Sequence, residues 1–267
     1  MEATAGFPPF LKLLADEQRW KLLEALAFSD RRVQELVRVL QQPQNLVSYH
    51  LRKLREHALV KERRSAADRR DVYYSLDLDR LKGMLMSTGE ALHPGLGEEH
   101  AEDRNIPLTP EGTRVRVLFL CTHNSARSQM AEGILRHMAG DKVDVASAGT
   151  EVTRVHPLAA RTMDARGIDI SGQRPKHLDE FLAQPFDYVI TVCDRASETC
   201  PIFPGDPERI HWSIPDPSSV EGDDRTREAA FQRAADELLT RIRYLLSLLH
   251  RRTSGRKSAR APMSDDS

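Results

Sequence analysis

Apolar positions along the chain follow one rhythm in its first third and another in its second half. Leu11 and Leu14, then Leu22, Leu23 and Leu26, recur at helical spacing and predict two short helices, with Asp16 placed to cap the second. Val33, Leu36, Val37 and Leu40 make a further stripe, which Gln42-Pro43-Gln44-Asn45 interrupts. Val47, Leu51 and Leu54 then form the i, i+4, i+7 face of another helix. Leu59-Val60 opens an extended run, the stretch from Arg63 to Arg70 reads as a polar turn, and Val72-Tyr73-Tyr74-Ser75-Leu76 returns as a strand.

From about 114 to 250 short apolar runs alternate with helical patterns. The expected order is strand 115–120, helix 128–139, strand 142–147 and helix 157–167, then a short helix near 178–183 and strand 187–192. A loop carrying Cys193 and Cys200, strand 209–212 and helix 225–250 complete it. Strands separated by helices imply an α/β fold, a parallel sheet with helices on both faces. Ligands then sit at the carboxyl ends of the strands, the edge expected to hold Cys121, Cys193 and the Asp216 loop. Between the halves, 88–113 carries Gly89, Pro94, Gly95, Gly97, Pro107 and Pro110 around the acidic cluster Glu98, Glu99, Glu102 and Asp103. That composition reads as a solvated linker. The chain of 267 residues is therefore expected to be multidomain: 1–87, linker 88–113, 114–250, and a polar, disordered tail over 251–267.

A formal net charge of -1 gives no bulk signal for nucleic acid or membrane, so any such signal must be local. No window approaches the roughly 18 uninterrupted apolar residues of a membrane span. The opening Met1-Glu2-Ala3-Thr4-Ala5-Gly6 lacks the basic-then-apolar pattern of a secretory signal, so a cytoplasmic location is expected. Cys121, Cys193 and Cys200 are the three cysteines, and an odd number in a reducing compartment points to catalytic or redox use rather than a disulfide framework. The tight pairwise spacing of zinc modules is absent, and no metal is expected.

The chemistry concentrates where the apolar run Val117-Leu118-Phe119-Leu120 ends at Cys121. A strand would deliver the thiol to its carboxyl end, and the tight turn Thr122-His123-Asn124-Ser125-Ala126-Arg127 would aim backbone N–H groups inward. A helix starting at about Ser128 points its positive end at the same spot. Such a pocket suits a tetrahedral oxyanion, with Arg127 forking two of its oxygens and the sulfur in its reactive thiolate form.

The segment from Cys121 to Gly133 resembles the active-site loop of the low-molecular-weight tyrosine phosphatase superfamily, and Asn124-Ser125-Ala126-Arg127-Ser128-Gln129-Met130-Ala131-Glu132 is more typical of its thiol-coupled arsenate reductase branch. The match continues through Ser147-Ala148-Gly149-Thr150, His156-Pro157, Gly167-Ile168-Asp169, Cys193-Asp194 and Asp216-Pro217. This resemblance implies Cys121 as nucleophile, Arg127 as oxyanion clamp, Ser128 as donor to the thiolate, Asn124 as the residue shaping the loop and Asp216 as general acid. It implies that Cys193 attacks Cys121 to release arsenite and that Cys200 then attacks Cys193, leaving a disulfide for an external thioredoxin or glutaredoxin-like reductant, with no bound cofactor. His123 either neighbours the thiol or faces solvent; Gln129 and Glu132 read as solvated or structural, and Trp212 as core or cleft wall.

Helices followed by a hairpin describe an α+β winged helix-turn-helix in the first domain. Ser48-Tyr49-His50-Leu51-Arg52-Lys53-Leu54-Arg55-Glu56, with Ala58-Leu59-Val60 and Arg70-Asp71-Val72-Tyr73-Tyr74-Ser75-Leu76, resembles the ArsR-type family of small dimeric repressors. With Val47, Leu51 and Leu54 inward, the residues Gln44, Asn45, Ser48, Tyr49 and Arg52 face outward, toward base edges and phosphates of a major groove. Arg63, Arg64, Arg69 and Arg70 at the hairpin tip suit phosphate or minor groove. The resemblance implies a homodimer on an inverted-repeat, double-stranded DNA site. The helix Glu35-Leu36-Val37-Arg38-Val39-Leu40 has no cysteine, which excludes a thiol-based arsenite sensor in this domain. The expected whole is a DNA-binding regulator fused to an arsenate reductase. A phosphotyrosine phosphatase fused to the same domain, and a non-catalytic oxyanion- or redox-sensing transcription factor, are the alternatives.

Overall fold

A computed structural model of the chain describes residues 8–93 and 114–258, which fall in two compact units. In the first, α1 (Pro9–Leu14) and α2 (Glu17–Leu26) are followed by β1 (Arg31–Arg32), α3 (Val33–Leu40), α4 (Gln44–Glu56), β2 (Val60–Arg64), β3 (Val72–Leu76) and α5 (Leu78–Leu92). Asp16 caps α2, its carboxylate accepting from the Arg19 amide at 2.9 Å. Leu22, Leu36, Leu51, Leu54 and Leu59 are buried together in one core. Each contributes roughly 1.5–3 kcal/mol by leaving water.

The sheet is antiparallel in the order β1–β3–β2. β1 is an addition to the expected elements: two residues are too few to show alternation, and Arg31 and Arg32 are strand only because they pair with Tyr74 and Tyr73. Gln44 and Asn45 belong to the first turn of α4 rather than to a break, since Pro43 is the N-cap and Gln41, at φ 53°, ends α3 in the left-handed region. Arg63 and Arg64 end β2, so the turn proper is the stretch 65–71. The linker expected from 88 begins later, because α5 runs through Leu92. Asp77 caps α5 by accepting from the Arg80 amide, and no proline interrupts it before Pro94. The rest of the expected linker, 94–113, lies outside the described residues.

The second unit orders β4 (Val115–Cys121), α6 (Arg127–Ala139), β5 (Val143–Gly149), α7 (Pro157–Asp164), β6 (Tyr188–Thr191), α8 (Asp194–Glu198), β7 (Glu208–His211) and α9 (Asp224–Ser258). Its strands form an all-parallel sheet, β5–β4–β6–β7, flanked by helices. The chain leaves β4 toward β5 and returns on the other side as β6, so the strand order reverses at β4. The crevice above its carboxyl end is where such a fold binds ligands, and Cys121 is the last residue of that strand. Two expectations are corrected. The loop after β6 contains the short helix α8, and α9 continues through Ser258 instead of giving way to a disordered tail at 251. No proline stops α9 before Ser258. The remainder of that tail, 259–267, lies outside the described residues. Among the described residues no helix is long and apolar enough to cross a membrane.

Candidate active site

The loop after β4 is held by its carbonyls. Those of Thr122, His123 and Ser125 accept from the amides of Glu151, Thr153 and His156 at 2.9, 3.2 and 2.9 Å. These carbonyls are turned toward the 151–156 segment, and the Asn124 amide donates to Cys121 Sγ at 3.2 Å. Asn124 makes the turn at φ 45°, a left-handed conformation that asparagine tolerates. Gly149, paired with Cys121 across the sheet, is required by proximity: a Cβ there would lie 2.7 Å from Asn124 N and from Thr122 O.

Behind the thiol runs a buried polar chain. Asn124 Nδ2 donates to Ser128 Oγ at 2.9 Å and to Ser147 Oγ at 2.8 Å. Ser128 Oγ thereby serves as an acceptor from Asn124 and also lies within hydrogen-bond distance of Cys121 Sγ, 2.9 Å away. Ser147 Oγ donates to Glu132 Oε2 at 2.5 Å, and Lys176 Nζ and Arg136 pair with the same carboxylate at 3.0 and 2.5 Å. Asn124 Oδ1 accepts from Gln129 Nε2 at 2.9 Å and from the Lys176 amide at 2.7 Å. Gln129 and Glu132 are buried, which corrects a solvated reading and leaves the structural one. Sequence alone could have found Gln129 through its spacing, since it sits one residue after Ser128, near the start of a helix that begins inside the pocket. Ser147 and Lys176 offer no such signal, because their partners are distant in sequence.

Arg127 is the first residue of α6 and is buried. Its guanidinium donates to the Ile214 carbonyl at 3.0 Å and to Asp216 Oδ2 at 2.7 Å, bringing the expected clamp and the expected acid together. Burial alone would raise the Asp216 carboxyl, but Arg127, the Ser218 hydroxyl and amide, and His123 together hold it below the ordinary 3.8. In the unliganded site it is a carboxylate. His123 is half exposed and lies 3.5 Å from Glu151. Trp212 is core, beside Phe119.

Cys193 follows β6, buried, with Thr122 Oγ1 at 3.4 Å from its sulfur. Burial and the neighbouring Cys121 push the Cys193 thiol up, against Arg127, the Thr122 hydroxyl and the Ala196 amide. Cys200 is part-buried, and burial raises its thiol too. It lines a small cavity with Cys121, Thr150, Ala196 and Thr199. All three sulfurs therefore gather at the carboxyl edge of the sheet.

Residues 116–255 match the family model for low molecular weight phosphotyrosine protein phosphatases. The chain belongs to that family. It is similar to an arsenate reductase of Halalkalibacterium halodurans, 46% identical over 127 residues, which are 48% of this chain and 91% of that protein. An arsenate reductase of Bacillus subtilis is 40% identical over 127 residues, with the same 48% and 91% shares. A solved thioredoxin-dependent arsenate reductase of Corynebacterium glutamicum aligns with 82% of this chain and 95% of its own at 25% identity and a TM-score of 0.43.

This member of the low molecular weight phosphatase family carries a second surface in its N-terminal unit. Val47, Leu51 and Leu54 are buried, while Gln44, Asn45, Ser48, Tyr49 and Arg52 are exposed on the opposite face of α4. The Arg52 guanidinium lies over the Tyr49 ring, 5.7 Å from its centroid. Arg64, Arg69 and Arg70 are exposed around the hairpin turn and Arg63 is half-buried. Residues 16–62 match the model of the arsR family of bacterial regulatory proteins. The chain thus joins an arsR-type helix-turn-helix to a low molecular weight phosphatase-type domain.

Proposed function

We propose that the chain reduces arsenate to arsenite and that its N-terminal unit binds double-stranded DNA. The observation that carries the first part is the gathering of three thiols around one oxyanion loop. Hydrolysis of a phosphate ester needs no thiol besides Cys121, whereas reduction needs two electrons, which Cys121 and a second thiol supply together as the first disulfide forms.

Arsenate seats on the loop amides and Arg127. Its negative charge takes over the guanidinium and stands beside Asp216, so the carboxyl that Arg127 held low is raised and can carry a proton. Cys121 Sγ attacks arsenic, an As–O bond breaks, and Asp216 protonates the leaving oxygen, which departs as water. Cys193 then gives up its proton and attacks Cys121 Sγ. The S–S bond forms as the S–As bond breaks, and the electron pair stays on arsenic, which leaves as arsenite. Cys200 attacks Cys193, frees Cys121 as a thiolate and forms the second disulfide. Cys193 and Cys200 are seven residues apart with α8 between them. α8 supplies five of the six residues between them, and it unwinds in this step to bring the Cα atoms within the roughly 7 Å limit of a disulfide. A thioredoxin- or glutaredoxin-like dithiol carrier then reduces the Cys193–Cys200 bond.

For DNA, α4 supplies amide, hydroxyl and guanidinium groups on one exposed face, and the arginines at the turn supply phosphate contacts. A homodimer is supported by α5, which packs Leu81 and Met84 against the core of the unit but leaves Leu85 and Leu92 exposed at 48% and 77%.

The test is arsenate turnover with a thioredoxin system beside p-nitrophenyl phosphate hydrolysis. Cys193→Ser and Cys200→Ser are each expected to stop multiple turnover with arsenate while aryl phosphate cleavage by Cys121 continues. Unchanged arsenate turnover in both variants would remove the relay and leave the phosphatase reading.

A further inference from the structure

The residue after Cys193 is a buried carboxylate that the chemistry above does not use. Asp194, 1% exposed, opens α8. Its Oδ1 accepts from Ser213 Oγ at 2.6 Å and lies 3.3 Å from His211 Nε2. His211 Nδ1 is 2.9 Å from Thr191 Oγ1, on the strand that leads into Cys193. Thr191 and His211 are register partners in β6 and β7, so the cluster spans the ends of two paired strands. Cys193 is therefore fixed from both sides, by β6 before it and by the Asp194 side chain after it. Cys200 has no comparable tie among the described residues. Its sulfur makes a long 3.7 Å contact to its neighbour's carbonyl, and Ile202, two residues on, is 88% exposed.

This asymmetry matters because both cysteines neighbour the first. Cys193 packs on Thr122, and Cys200 lines the cavity that Cys121 also lines. Either could form a disulfide with Cys121 and expel arsenite with the same electron balance. We propose that the Asp194–His211–Ser213 cluster is a positioning device that sets the order of the relay: it holds Cys193 as the fixed first attacker while α8 unwinds from its far end and delivers Cys200 second. The inference rests on the reductase reading.

The test is a single turnover of the reduced full-length protein with stoichiometric arsenate, trapped by rapid alkylation and mapped for disulfides by peptide mass. Ser213→Ala removes one hydroxyl, the smallest change to the cluster, and Asp194→Asn removes the charge; the first serves if the second fails to fold. The wild type is expected to pass through Cys121–Cys193 to Cys193–Cys200. Both variants are expected to release arsenite at least about tenfold more slowly, a change of about 1.4 kcal/mol in the barrier. They should accumulate a Cys121–Cys200 bond, with aryl phosphate hydrolysis within about twofold of wild type. Wild-type pairing at the wild-type rate overturns the proposal, and so does an equal loss of both activities, which would mark the cluster as merely structural. Cys193→Ser, run alongside, separates the two levels of inference: if it releases arsenite at the wild-type rate, the relay itself is wrong and the cluster's role falls with it.

Discussion

The oxyanion loop and the exposed face of α4 are both built from short polar residues and arginine, yet they treat those residues in opposite ways. Around Cys121 the polar side chains are buried and bonded to one another: Asn124, Ser128 and Gln129 are all fully buried, and the Asn124 side chain makes hydrogen bonds to four different residues. On α4 the corresponding groups are exposed, and Arg52 reaches Tyr49 and, at 3.9 Å, Glu56. A site that must stabilise a developing charge gains from donors fixed before the substrate arrives. A face that reads a groove must present groups not yet committed, and their ordering is completed on the partner. The consequence for mutation is that the loop should fail steeply at single positions, while the α4 face should lose affinity gradually.

The steepest expected failure is Cys121→Ser. A hydroxyl is a far weaker nucleophile than a thiolate at neutral pH, and both arsenate reduction and aryl phosphate cleavage should fall by at least about a thousandfold. Ser128 Oγ already lies 2.9 Å from the Cys121 sulfur, so the substituted hydroxyl still finds a partner and the fold should persist. Thermal unfolding beside both assays checks this. Residual turnover above that level would remove Cys121 from its role.

Asn124→Ala tests the buried chain one step further out. It leaves the Ser128 and Ser147 hydroxyls without this donor and the Gln129 amide without this acceptor, and it places a residue less tolerant of positive φ at the turn. A fall of about ten- to a hundredfold in kcat is expected, with a loss of about 2–4 kcal/mol in stability from the unsatisfied buried groups. A variant that keeps wild-type kcat would show that the loop is held by its carbonyl bonds to 151–156 alone.

This contrast also decides what can be read in the sequence. The parallel sheet is legible because β4 to β7 are short apolar runs separated by helical patterns. Cys121, Arg127 and Ser128 are legible because strand, turn and helix start are contiguous. The burial of Glu132 is hidden because it comes from Ser147 and Lys176, which the fold brings in from 15 and 44 residues away. The Asp194 cluster is invisible for the same reason: His211 and Ser213 meet Asp194, and Thr191 meets His211, only when β6 and β7 pair. β1 and α8 are too short to carry a period. The far end of α5 is masked by Gly89, which suggests a linker, whereas the cap at Asp77 and the absence of proline favour helix.

On the α4 face, Arg52→Ala should weaken binding to an inverted-repeat DNA site by about 1–3 kcal/mol if the guanidinium reads a base edge, and relax sequence preference at that position. Removing an arginine at the turn, Arg69 or Arg70, should instead weaken all sequences alike and lower the salt slope by about one for each phosphate no longer neutralised. Fluorescence anisotropy with the full chain, across a range of salt, distinguishes the two patterns. A face that binds no DNA at low salt would be a dimerisation module only.

The smallest effect concerns the two regions together. All three cysteines belong to the second unit, and the first has its own closed core around Leu22, Leu36 and Leu51, with no thiol to take arsenite. A ligand shifts an equilibrium only by the difference in its affinity for the two states. The groups that would hold arsenate, and both sulfurs of a Cys193–Cys200 disulfide, belong to the second unit, so neither has a direct means of preferring one DNA-binding state. Operator affinity is therefore expected to change by less than about tenfold, or about 1.4 kcal/mol, between the reduced protein, the oxidised protein, and the protein with arsenate or arsenite. The measurement is one anisotropy titration repeated in each state with the same DNA and salt. A hundredfold change in any state would make the phosphatase-type domain the sensor. The Cys193→Ser and Cys200→Ser variants, titrated the same way, would then tell whether the disulfide or the bound oxyanion carries the signal, because neither variant can form the Cys193–Cys200 bond while both keep the loop around Cys121.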